Sequence, residues 1–148
     1  MNKKKQPLIL VTNDDGINAK GFKALVNVAK QFGRVVAIST QDSRSGMSHA
    51  ITIKTPLRAK KIQGEENVQY YLIDGTPVDC VKLALNKLLD EEPDVVLSGI
   101  NHGSNSTISV IYSGTMGAAI EGCFYGIPSI GFSLTEFDPD ADFSAAED

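Results

Sequence analysis

Leu8 to Thr12 is a short, unbroken apolar run that stops at Asn13-Asp14-Asp15-Gly16. A run of this length without polar alternation reads as a strand covered on both faces, and the polar, glycine-containing stop reads as a turn. From Lys20 to Phe32, apolar residues fall at Phe22, Leu25, Val26, Ala29 and Phe32. That spacing predicts a helix with one buried face, closed by Gly33. Val35 to Ile38 is a second buried strand, so the opening third is a βαβ unit with parallel strands. The polar stretch Thr40 to Ala50 predicts a long loop. Ile51-Thr52-Ile53, Leu57 to Ile62 and Val68 to Ile73 are short β-prone runs between turn residues, the pattern of a hairpin excursion that returns to the sheet.

Thr76-Pro77-Val78-Asp79 is a helix start, with Thr as N-cap, Pro at the first position and Asp in the first turn. Val78, Val81, Leu85, Leu88 and Leu89 would form its buried face. Val95 to Leu97 is a further buried strand ending at Ser98-Gly99-Ile100-Asn101, and a Gly/Ser/Asn-rich loop runs on to Ser113. A helix opens at Gly114, with Met116, Ala119, Ile120, Cys123 and Phe124 expected on one face and small Gly117, Ala118 and Gly122 allowing close approach. Ile127 to Phe132 is the last strand, and 134–148 reads as the beginning of a segment left incomplete. The alternation predicts one α/β domain over residues 1–148, Rossmann-like and doubly wound. Its sheet is mostly parallel with a β-hairpin excursion, and 1–7 forms a flexible N-terminus.

Ligands of such domains bind outside the carboxyl ends of the strands. The turns Asn13 to Gly16, Ser43 to Gly46, Ser98 to Asn101 and Tyr112 to Thr115 follow strands or open helices, so they should share that edge. Adjacent carboxylates at Asp14 and Asp15 repel and resist burial unless a cation neutralises them. A hard divalent ion does so, and the Ser45 hydroxyl and Asn101 carbonyl are oxygen donors suited to its shell. An Asp-Asp-Gly sequence is also ordinary turn chemistry, and Ser45 or Asn101 taken singly would serve as loop caps. Ser113-Gly114-Thr115 opens a helix whose amides and dipole suit an anion, with a simple N-cap as the competing reading. Arg44 is a phosphate clamp or a solvated side chain. His49 and His102 lack ligand spacing to one another, and neither is read as a metal ligand.

Composition then narrows the partners. With 14 basic and 18 acidic side chains the net charge is -4, which offers no electrostatic footprint for nucleic acid. A negative chain still holds a phosphorylated small molecule where a cation or oriented amides reverse the local field. Cys80 and Cys123 have no zinc or redox spacing and are expected as buried thiols in a reducing compartment. No signal peptide or membrane span fits the pattern, so a cytoplasmic location is expected.

The segments Ile9 to Ile17, Arg44-Ser45-Gly46, Gly75 to Val81, Val96 to Asn101 and Tyr112 to Thr115 together resemble the survival protein SurE family of nucleotidases. The motifs occur in the family's order across most of the chain. The resemblance implies hydrolysis of nucleoside 5'- and 3'-monophosphates with one divalent metal ion per subunit, Mn2+ or Mg2+, in a homodimer or higher homo-oligomer. It implies metal ligands at Asp14, Asp15, Ser45 and Asn101, and phosphate contacts at Asn13, Ser113, Gly114 and Thr115. Asp14 and Asn13 are then the catalytic candidates. Asp14 would orient or deprotonate the attacking water, and Asn13 would stabilise developing charge. Family members continue for about another domain's worth of residues, so the C-terminal half of the family fold is expected to be absent, and an inactive binding or assembly module is the alternative. A response-regulator receiver would also carry an acidic pair after its first strand, but the acceptor Asp and the late Lys it needs are missing. A haloacid-dehalogenase phosphatase would need two Asp separated by one residue, which Asp14-Asp15 does not supply.

Overall fold

A computed structural model describes residues 5–138 and 140–146. Its sheet has six strands in the order β3-β4-β2-β1-β5-β6. These are β1 (Leu8–Thr12), β2 (Arg34–Thr40), β3 (Ala59–Glu65), β4 (Val68–Ile73), β5 (Val95–His102) and β6 (Ser129–Leu134). β3 runs antiparallel to β4, and the other neighbours are parallel. The helices are α1 (Lys20–Ala29), α2 (Pro77–Leu83), α3 (Ser109–Tyr112) and α4 (Gly114–Phe124). The α/β architecture and the hairpin excursion are as the residue pattern predicts.

Side chains alternate between the faces of a strand, and β1 and β2 show why their runs are apolar throughout. Ile9, Val11, Val35 and Ala37 pack with Phe22 and Leu25 of α1 on one face. Leu8, Leu10, Val36 and Ile38 pack with Cys80 and Val81 of α2 and Ala118 of α4 on the other. Full burial of a side chain such as Leu10, Ile38 or Phe22 contributes about 1.5–3 kcal/mol each. The chain leaves β1 toward β2 and later returns to β5 on β1's other side. The ends of β1 and β5 therefore flank the crevice where connections diverge, the usual ligand position in this architecture.

Several local expectations are corrected. Ile51 to Ile53 is not a strand, and Ile53 is 82% exposed. α1 stops at Ala29, leaving Phe32 exposed beyond its last turn. The helix after Thr76 changes to wider π-type winding over Ala84–Leu88, and Thr76 and Asp79 form a full capping box at its start. β5 continues to His102, so Ser98 to Asn101 are strand rather than loop. The packed face of α4 is its small one, with Gly117, Ala118, Ala119 and Gly122 buried. Phe124 and Cys123, expected to be buried, face outward. Small residues let α4 lie close to its neighbours, and that approach decides which face turns inward.

Cys80 is buried as expected, and burial pushes its thiol up to about 12. Of the expected flexible N-terminus, residues 1–4 lie outside the described residues. Lys5 pairs with Glu91, and the Pro7 carbonyl accepts a hydrogen bond from Arg34 N at 2.9 Å. In the closing segment Phe143 is 8% exposed and packs into the α1-side core, ahead of a single turn at Ser144–Ala146. Glu147 and Asp148 lie outside the described residues. No helix among the described residues is long and apolar enough to cross a membrane.

Candidate active site

The turn after β1 is the hub. Asn13 is fully buried, its Nδ2 donating to Gly16 O at 2.9 Å and its Oδ1 accepting from Ser39 Oγ at 2.5 Å. The side chain is engaged at both ends in shaping the turn. Beyond it, Asp14 is 3% exposed and Asp15 half-buried. Burial first, and the neighbouring Asp15 charge after it, hold the Asp14 carboxyl above its ordinary 3.8, against an opposing hydrogen bond from Thr115. The carboxylate form is disfavoured there unless positive charge is supplied.

Three other elements close on this pair. From the loop after β2, Arg44 N donates to Asp14 O at 2.6 Å, and Ser43 Oγ lies 2.8 Å from Ser45 Oγ. Ser45 is exposed on the rim. From β5, His102 N donates to Asp15 Oδ2 at 3.2 Å, and Asn101, half-buried, spends an amide hydrogen on Gly103 O at 2.6 Å. From α4, Thr115 Oγ1 donates to Asp14 Oδ1 at 2.6 Å. Gly114 lies so close that a Cβ there would stand 2.9 Å from Asp14 Cβ and 3.0 Å from Asp14 Oδ2.

Of the two readings of the start of α4, the N-cap is the one the hydrogen bonds display. Ser113 is the N-cap, its hydroxyl accepting from Met116 N at 3.0 Å, while its carbonyl accepts from Gly117 N. First-turn amides of a helix have no partner inside it, and that of Thr115 is turned to the Asp14 carboxyl, which it and the Thr115 hydroxyl both pull down. The Arg44 side chain is exposed and shares a surface hollow with Arg58 and Lys60. On the far side of Asp15, a cleft of about 330 Å³ is lined by Lys20, Gly21, Ile100, His102 and Phe143. His102 meets Phe143 edge-on at 5.9 Å.

Asp14 and Asp15 follow β1, Asn101 lies near the end of β5 and Ser45 lies in the loop after β2, and the donors these side chains offer a cation are hard oxygens. That donor chemistry, with a buried carboxyl held above its ordinary value, suits a hard divalent cation rather than a soft metal. Two connections were not read from the sequence. The Thr115 bond to Asp14 spans 101 positions, and no local pattern signals it. His49 does have a partner, Glu121 on α4, a residue the periodicity of α4 had passed over.

The family model for "Survival protein SurE" matches residues 9–148. The chain belongs to the SurE family. It is similar to a curated 5'-nucleotidase SurE of Flavobacterium psychrophilum, 55% identical over 93% of this chain and 54% of that protein. It is also similar to that of Bacteroides thetaiotaomicron, 51% identical over 94% of this chain and 54% of that protein. The crystal structure of the SurE protein from Aquifex aeolicus matches with a TM-score of 0.77 and 43% identity. That match covers 86% of this chain and 50% of the Aquifex chain. The chain spans about half the length of these SurE relatives.

Proposed function

We propose that this SurE-family chain forms the site of a divalent-metal-dependent phosphomonoesterase that hydrolyses nucleoside 5'- and 3'-monophosphates. The relatives named 5'-nucleotidase support the reaction class. The observation that carries the reading is the 2.6 Å contact between Thr115 and Asp14, which joins the acidic pair to the N-terminus of α4. A cation site and an anion seat in contact are what a phosphate monoester requires.

Asp14, Asp15, Ser45 and Asn101 would hold one Mn2+ or Mg2+ per subunit. When bound, the cation supplies charge against the phosphoryl oxygens and lowers the pKa of water beside it. At the start of α4 the Gly114 amide is the donor assigned to a phosphate oxygen, with the Thr115 amide and hydroxyl holding Asp14 beside it and the Ser113 cap fixing the turn. Thr115 holds the Asp14 carboxylate in one orientation, from which it orients or deprotonates the attacking water. Asn13, fully buried and bonded to Gly16 O and Ser39 Oγ, sets the turn that presents both carboxylates. The protein acts in the cytoplasm on small nucleotides rather than nucleic acid. It works as a homodimer or higher homo-oligomer, for which exposed Ile108, Ile111, Tyr112 and Phe124 offer an apolar contact surface.

Phosphate release from AMP, GMP and 3'-AMP, with and without Mn2+ and after Asp14→Ala, tests this reading. Metal-dependent release that Asp14→Ala abolishes is expected. A folded, monodisperse sample without metal-dependent turnover would overturn it in favour of an inactive binding or assembly module. A phosphoryl group retained covalently on the chain would point to a signalling receiver instead.

A further inference from the structure

His49 stands four positions beyond Ser45 in the loop between β2 and β3, and the site built above gives it no task. Its Nε2 is shielded from solvent and lies 3.0 Å from Glu121 Oε2, a close polar contact without hydrogen-bond alignment. Its ring meets Phe124 edge-on at 5.6 Å. Glu121 sits on α4 and is only 3% exposed. A carboxylate so removed from water is costly unless it is paired, and α4 carries no basic residue of its own. Both carboxylate oxygens are met from other elements, and the cation among them is Lys82. Lys82 of α2 reaches Oε1 at 2.9 Å, and the loop supplies His49 to Oε2.

The backbone beside His49 follows the same helices. Ser48 N donates to Tyr112 O at 3.0 Å and Ser48 Oγ to Ile111 O at 2.6 Å. Gly117 has no side chain where Ser48 packs, and a Cβ there would fall 2.4 Å from Ser48 O. At the loop's other end Arg44 N is tied to Asp14 O. Ser45, Gly46 and Met47 are strung between these two anchors. α4 in turn carries Gly114 against Asp14 at its first turn, seven residues and about 10 Å along the helix from Glu121.

We infer that His49 and Glu121 are a positioning pair that locks the Ser45 loop to α4, so that the metal-binding loop and the anion seat keep one fixed spacing. The inference rests on Ser45 being a metal ligand, as proposed above. Lys82 neutralises the same carboxylate from α2, its ammonium lying between Glu121 and the Tyr125 ring, which separates positioning of the loop from simple stabilisation of a buried charge.

The test compares Glu121→Gln, His49→Gln and Lys82→Gln in the full chain. Amide hydrogen exchange across 43–50 reads the anchor, and Mn2+ titration followed by electron paramagnetic resonance reads its consequence. Glu121→Gln and His49→Gln should speed exchange in 43–50 while β1 and β2 stay protected, and should weaken Mn2+ binding about tenfold. Lys82→Gln should change neither. Unchanged exchange in 43–50 in both variants overturns the inference, as does an equal global rise in all three, which would make Glu121 a fold-stabilising residue only. If Glu121→Gln does not fold, His49→Gln, at the half-buried end of the contact, gives the same reading. A wild-type chain that binds no Mn2+ removes the metal-ligand reading and this inference with it, an outcome distinct from loosened variants of a metal-binding wild type.

Discussion

Gly114→Ala tests the contact on which the proposed site depends, because the added methyl group would enter the space between α4 and Asp14. The new Cβ would lie 2.9 Å from Asp14 Cβ, 3.0 Å from Asp14 Oδ2 and 3.1 Å from Pro77 Cγ. Carbon atoms pack at about 3.5 Å or more, so Asp14 and the helix start must part by roughly half an ångström. A 1 Å misplacement in an active site costs about a hundredfold, so half that distance predicts about a tenfold loss in kcat/KM. That corresponds to about 1.4 kcal/mol of transition-state stabilisation. Overpacking costs about 1–3 kcal/mol, and replacing Gly by Ala in a helix returns up to about 1 kcal/mol, so the fold should lose about 1 kcal/mol. For a chain of this size Tm then falls by about 2–4 °C. The assay is phosphate release from AMP with saturating Mn2+, alongside a thermal melt and an Mn2+ titration. A folded Gly114→Ala protein with wild-type kcat/KM and Mn2+ affinity would refute the claim that this contact sets the geometry of Asp14.

Thr115→Val removes a buried hydrogen bond to a carboxylate and should cost about 2 kcal/mol in denaturant unfolding; a loss within error would show the bond to be energetically idle. The Asp14 carboxyl lies above 3.8 in the fold, so the native state holds this proton more tightly than the unfolded chain does. The contribution of Asp14 to the stability of the metal-free protein is therefore greatest below pH 3.8 and is lost as pH rises through the raised value. In chelator, Asp14→Asn should gain on the wild type across that rise, and urea midpoints that differ by a pH-independent amount would contradict the sign. Cys123 is exposed, whereas burial pushes the Cys80 thiol up to about 12. A thiol reagent should label Cys123 alone in the native protein and both cysteines in denaturant, and rapid native labelling of Cys80 would show its side of the core to be open.

The sequence by itself determined the elements whose signal is local. The unbroken run of β1, the capping residues Thr76 to Asp79 and the alternation of strands with helices were enough to predict a doubly wound domain. That architecture brings strand ends together, which is why the sequence points to Asp14, Asp15, Ser45, Asn101 and the start of α4 as one candidate cluster. Only the tertiary structure decided which surfaces meet. The apolar spacing of α4 is the same whether that face is packed or bare, and apolar residues are common on protein surfaces. Its small residues win the interior because close approach to the sheet and α2 leaves no room for Phe124. Thr115 with Asp14, and Glu121 with His49, join positions far apart in the chain, and a pairing of that kind leaves no periodicity for the sequence to display.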